Sequence, residues 1–170
     1  MANYATTNST NFGAVQVANT TTDISLISIF ASTIAPMPAI QLRRAKVYDI
    51  LVGTNGTPAD NAMMFSMQRA TAGSTPSYAG INSSVNQALD QADSVSACGS
   101  WSNSSMETSY TYTGTNMPWF VGVNQRASYR WVAAPGSEIV LPATSSAGLS
   151  LRSKSPGYTG AATGALMWSE

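Results

Sequence analysis

At 170 residues the chain is long enough for one domain with a real core, and 44% of it is hydrophobic, yet only 9% is charged, far below the roughly 25% of an ordinary soluble domain. Eight basic and eight acidic residues cancel, so the sequence carries no electrostatic footprint for nucleic acid or an anionic membrane surface. Histidine is absent, which excludes Ser-His-Asp and Cys-His nucleophilic sites and leads us to expect a protein that is not an enzyme.

Residues 1–22 are polar and nearly uncharged, with isolated apolar touches at Tyr4, Phe12, Val15 and Val17. They read as an extended N-terminal arm ahead of a sandwich domain over residues 23–170. Asp23 to Phe30 is a β-branched run of strand length, broken by Ala35-Pro36-Met37-Pro38. Arg44 to Gly53 predicts a central strand, apolar on both faces except at Asp49. Asn55 to Asp60 is a turn cluster, and Ala62 to Arg69 follows with Met63, Phe65 and Met67 on one face, a strand expected to pair antiparallel with the one before it.

Thr71 to Ser94 is loop-rich, with at most one short helix, over Val85 to Ala92. Further strands are predicted at Val95 to Trp101, Glu107 to Thr113, Trp119 to Asn124, Ala127 to Ala133, Glu138 to Leu141, Gly148 to Arg152 and Ala161 to Trp168. The stretch from Pro118 to Pro142, whose first two strands meet at Asn124-Gln125-Arg126, reads as a compact β-meander. Ser and Thr supply roughly a quarter of the chain, a composition that suits strands and turns. Many short strands at regular spacing predict an all-β, antiparallel two-sheet β-sandwich of jelly-roll type. Cys98 is the only cysteine, so no internal disulfide forms, and a buried small hydrophobe is the expectation for it. No window approaches a membrane span, and no secretory leader is expected.

The run from Asn124 through Arg126, Tyr129, Arg130 and Trp131 to Gly136 resembles a family of small structural proteins of tailed bacteriophages. So do Gly56-Thr57-Pro58-Ala59-Asp60-Asn61-Ala62 with Tyr48-Asp49-Ile50 before it, Gln68-Arg69-Ala70-Thr71-Ala72-Gly73, and Leu89-Asp90-Gln91-Ala92-Asp93, where Gln91 stands in place of an expected proline. The resemblance covers roughly Arg43 to Glu170. It implies a head decoration, or cement, protein: a virion component, commonly a homotrimer, bound to the major capsid protein on the outer surface of the capsid. No cofactor, nucleic acid or membrane partner is expected.

By the period-two rule Arg126, Ser128 and Arg130 share one strand face and Tyr129 and Trp131 the other, which we expect in the core. For Arg126 and Arg130 two readings stand side by side: an ion pair with Asp49 on a neighbouring strand, or a contact with another subunit or the capsid. In the arm, Asn3, Tyr4, Phe12, Val15 and Val17 are the candidate capsid contacts, an extended segment being able to add a strand to a partner's sheet. Asp60, Asp90 and Asp93 match no calcium loop and suit turn capping. Met63, Met64 and Met67 are expected to pack a core, while Trp101, Trp119 and Trp168 fit either core or interface. The rival function is a receptor- or carbohydrate-binding module of a phage tail or head fibre, using Tyr78, Tyr110 and Tyr112.

Overall fold

The structure is a computed structural model, and it describes residues 1–8, 17–19, 23–31, 42–55, 57, 59–72, 86–94, 96, 98–102, 110–112, 117–144, 147–155 and 160–170. Its strands in chain order are β1 (Asn3–Thr7), β2 (Val17–Asn19), β3 (Ile24–Phe30), β4 (Lys46–Asn55), β5 (Ala62–Ala72), β6 (Gln87–Ala88), β7 (Gly99–Ser102), β8 (Tyr110–Tyr112), β9 (Trp119–Asn124), β10 (Tyr129–Val132), β11 (Ile139–Val140), β12 (Ala147–Lys154) and β13 (Gly160–Ser169). They form two antiparallel sheets. One runs β10-β4-β13-β1-β6, with β11 also on β4 and β2 also on β13; the other runs β7-β3-β12-β5-β8, with β9 also on β5.

The core between the sheets comes from alternating inward positions. Leu26, Ile27, Ile29, Met63, Phe65, Met67, Leu149 and Leu151 from one sheet meet Tyr4, Val47, Ile50, Val52, Leu166 and Trp168 from the other, all buried. Two bulges tune the alternation. Between Met167 and Trp168 the register against β4 skips Tyr48, so Val47 and Ile50 both point inward although they are three residues apart. Between Leu151 and Arg152 the register against β3 skips Leu26, which lets Ile24 and Ile27 share the inner face while Ser25 and Ser28 lie on the other. On that outer face Ser28 Oγ and Ser150 Oγ are 2.9 Å apart, and Arg152 Nη1 donates to Gln68 Oε1 at 3.0 Å. These buried polar groups are paired, as their burial requires.

Three expectations change. Asn3 and Tyr4 are not on an arm separate from the sandwich: β1 is an internal strand between β13 and β6, and Tyr4 is buried with its ring 6.0 Å from that of Trp168. An apolar aromatic in a polar segment is drawn into the core because burial outweighs the local composition. β5 does not pair with β4 but with β12, β8 and β9: β4 ends at Asn55 in one sheet and β5 begins at Ala62 in the other. Pro118 to Pro142 is not a meander either: β9 pairs with β5, whereas β10 and β11 both line the edge of β4. Among the described residues 86–92 there is no helix: Gln87–Ala88 bridges to β1, and Asp90 Oδ1 accepts from Ala92 N–H at 2.9 Å, the turn-capping role foreseen for this aspartate.

Asn8 ends β1 with its side chain. Its Oδ1 accepts from Gly164 N–H at 2.8 Å and its Nδ2 donates to Ala162 O at 3.0 Å, continuing the ladder of β13 by one step. Val17 resumes that ladder opposite Ala162. Phe12 and Val15 lie outside the described residues, as do Val95 and the whole of the run from Gly73 to Val85, which holds Tyr78.

Candidate interaction surface

One flank of the sandwich is bounded by β9 in one sheet and by β10 and β11 in the other. The chain turns from the first sheet to the second at Gln125, which is buried and bonded on three sides: its N–H donates to Asn61 O at 2.9 Å, its Oε1 accepts from Ala59 N–H at 3.0 Å, and its carbonyl accepts from Thr54 Oγ1. This corner fixes β9 against β10 and is why both edges face the same side. Trp119 and Tyr129 close the gap between them with ring centroids 6.3 Å apart.

The register places Arg130 opposite Leu51 and Val132 opposite Asp49 on the outer face of the first sheet. From there Arg130 reaches diagonally across the strand pair. Its Nε lies 3.1 Å from both carboxylate oxygens of Asp49, and its Nη2 also donates to Oδ2. Asp49 is buried and Arg130 largely exposed, so the guanidinium lies as a lid over the carboxylate. Hydrogen bonding to Asp49, with its negative charge, holds the Arg130 guanidinium above its usual range. Arg126 turns elsewhere, to Asp60 at 3.0 Å, an exposed pair at the rim. Arg126 and Arg130 are thus each matched by a carboxylate of the same chain, while Arg69 of β5 donates through Nη1 to Val140 O of β11 at 2.8 Å.

Between the corner and the outer face of the sheet lies an open groove of about 460 Å³ lined by Thr7, Gly53, Ser128, Thr163 and Ala165 among others. It is shallow because small side chains floor it. A Cβ added at Gly53 would make ordinary van der Waals contact with Ser128, 3.6 Å from its Cβ. Among the described residues no aromatic ring lines the groove. Tyr112, a candidate for carbohydrate binding, is engaged internally: its hydroxyl is 2.8 Å from Ser25 Oγ, and Arg152 lies 3.9 Å over its ring. The side chain of Tyr110 lies outside the described residues.

Exposed large apolar side chains concentrate on this flank. Phe120 at 62%, Val132 at 58%, Tyr129, Leu51, Met64 and Met117 are all on β9, β10, their partner strands or the residue pair before β9. Tyr129, expected in the core, is therefore corrected to a half-open position, and Trp131 is only partly buried: both face inward, opposite Val52 and Ile50, but no described strand lies beyond β10 to cover them. Met63 and Met67 are fully buried as expected, whereas Met64 points outward. Trp168 and Trp119 belong to the core, and the side chain of Trp101 lies outside the described residues.

Sequence reasoning passed over Phe120, Gly122, Gln125 and Val132. The signal for Phe120 was present: Trp119, Val121 and Val123 take the inward positions of the strand, so an apolar Phe120 must face out. Among the described residues no cluster of His, Cys, Asp or Glu could hold a metal ion, and no helix is long and apolar enough to cross a membrane. Comparison of the chain with protein-family models, with curated proteins and with solved structures found no match.

Proposed function

We propose that this chain is a non-enzymatic structural subunit of a phage virion, a decoration or cement protein that binds the outer surface of the head through the β9–β10 flank and reinforces the shell. The observation that carries this reading is a concentration of exposed large apolar side chains beside two sheet edges, Val132 and Leu51 on the outer face of one sheet and Phe120 and Met64 on that of the other, with Arg126 and Arg130 paired within the chain. Exposed apolar surface of this kind suits macromolecular contact.

The strand order supports a jelly-roll-type sandwich. With β2, β6, β7, β8 and β11 set aside as additions, β1-β13-β4-β10 faces β3-β12-β5-β9, and the paired strands β1 and β13, β3 and β12, β4 and β10, β5 and β9 alternate between the sheets as a jelly roll requires. That architecture is frequent in viral capsid and lectin domains, and fold alone does not choose between them. The exposed apolar side chains of the flank, and the internal engagement of Tyr112, favour protein contact over sugar binding. Because β1 is internal, the capsid contact moves from Asn3 and Tyr4 to the flank.

A cryo-EM map of the virion that encodes this chain tests the reading. Density for the sandwich on the outer face of the head, with Phe120 or Val132 at the contact, is the expected result. Density confined to a tail or fibre tip would overturn it.

A further inference from the structure

Strand β9 is a bare edge. Gln125 N–H donates to Asn61 O at 2.9 Å, and the register runs from Asn124 opposite Ala62 to Trp119 opposite Met67. In an antiparallel ladder the residues bonded to a given neighbour alternate. Trp119, Val121, Val123 and Gln125 therefore bond toward β5, while Phe120, Gly122 and Asn124 turn their backbone N–H and C=O to the open side. No described strand pairs there. Such an edge is a template for another strand, which natural proteins usually block with charge, proline or a bulge, and β9 reads WFVGVN with none of these inside it.

The edge is also complementary to itself. Phe120 is the most exposed of the large side chains on the flank, and Gly122 stands two residues on, on the same strand face. A Cβ at Gly122 would meet nothing within 4 Å, and its backbone is not left-handed, so neither packing nor conformation within this chain calls for glycine. A strand glycine with open space above it suits the close approach of another chain, and an aromatic across the pair shields such a glycine.

Antiparallel pairing of two β9 edges about a two-fold axis through Val121 sets Phe120 of each copy opposite Gly122 of the other. These become the hydrogen-bonded pairs, using the groups that face outward, and the two Val121 residues meet at the closer, non-hydrogen-bonded position. The next pair is Pro118 with Asn124. Pro118 has no N–H to give, and the Asn124 carbonyl it would address already accepts from Ala127 N–H at 2.9 Å. The missing donor falls on the engaged acceptor, while Asn124 N–H remains for Pro118 O. We infer that the protein self-associates as a two-fold pair through β9, joining two copies of its six-stranded sheet into one. The pairing requires no capsid; because it takes up the β9 edge with Phe120, it leaves Val132 of β10 as the candidate capsid contact. A two-fold seam is also distinct from the trimer that the family resemblance implies, and the mass in solution separates them.

Light scattering and sedimentation velocity of the purified full chain over a range of concentrations give the test. A mass of two chains, or an even multiple, is expected. Phe120→Lys and Gly122→Pro each raise the dimer dissociation constant by at least about tenfold with unchanged far-UV circular dichroism, since neither the ring nor that N–H bonds to β5. Val121→Cys forms a disulfide-linked dimer under mild oxidation, because Cα atoms of a non-hydrogen-bonded pair stand about 4.5 Å apart, while Asn124→Cys does not and Cys98 stays silent in the core. A monomer at every concentration, a trimer insensitive to Phe120→Lys, or cross-linking at position 124 in preference to 121 would each overturn the inference. If Gly122→Pro fails to fold, Phe120→Lys and the cysteine pair still decide.

Discussion

Asp49 is a carboxylate in an otherwise apolar strand, and Arg130 makes its burial tolerable. Removing the arginine leaves the charge without its hydrogen bonds, which is costlier than removing both partners. We expect Arg130→Met to lower the denaturation midpoint, Arg126→Met to leave it nearly unchanged because both partners of that pair are exposed, and Arg130→Met with Asp49→Asn to recover most of the loss; urea titrations of the three variants check this. Cys98 gives a pH prediction. Burial, then the nearby Glu170 carboxylate, raises its thiol well above the ordinary range. The folded state thus favours the protonated thiol, so its contribution to stability is intact below the unfolded pKa of about 8.5 and is lost as pH rises beyond it. Between about pH 8.5 and 10, unfolding free energy falls more steeply for the native chain than for Cys98→Ala, by at most about 1.4 kcal/mol per pH unit, as denaturant titrations at several pH values would show.

At the scale of elements, β13 organises the first sheet, since it pairs with β4, β1 and β2. Gly164 lies on its inner face, where an added Cβ would sit 2.6 Å from Leu151 Cδ2 and 3.5 Å from Leu26 Cδ1, side chains of the opposite sheet. Its absence of a side chain sets how closely the sheets approach. Gly164→Ala overpacks this point and costs about 1–3 kcal/mol, measurable by chemical denaturation; a neutral result would mean that Leu151 has room to turn aside. Element positions were largely legible in the sequence, because alternation in segments such as Met63, Phe65 and Met67 follows from the pleat alone. Partners were not. β4 and β5 are neighbours in sequence with matching inward faces, and that same pattern serves whether they pair side by side or face each other across a core.

At the scale of the whole molecule, the N-terminal residues belong to the fold. β1 supplies Tyr4 to the core and, through Asn8, two further bonds to β13. Deleting Met1 to Asn8 uncovers Trp168 and the edge of β13, so we expect a chain with lost near-UV circular dichroism and a tendency to aggregate. A folded, monodisperse truncation would show that β1 is dispensable. The candidate surface was only partly legible. The Arg130 and Asp49 pair could be named from strand faces, whereas the flank of Phe120, Tyr129 and Val132 required knowing that β9 and β10 are edges.

The sequence by itself determined an all-β chain, its strand positions and the need for a partner at Asp49, since these rest on period-two alternation, turn residues and the cost of buried charge, all local properties. Only the tertiary structure decided that β1 is internal, that the stretch from Pro118 to Pro142 spans both sheets, and which edges stay open. Those depend on which strands meet across long separations, and backbone hydrogen bonds, being the same for every residue, leave no mark of their partner in the sequence.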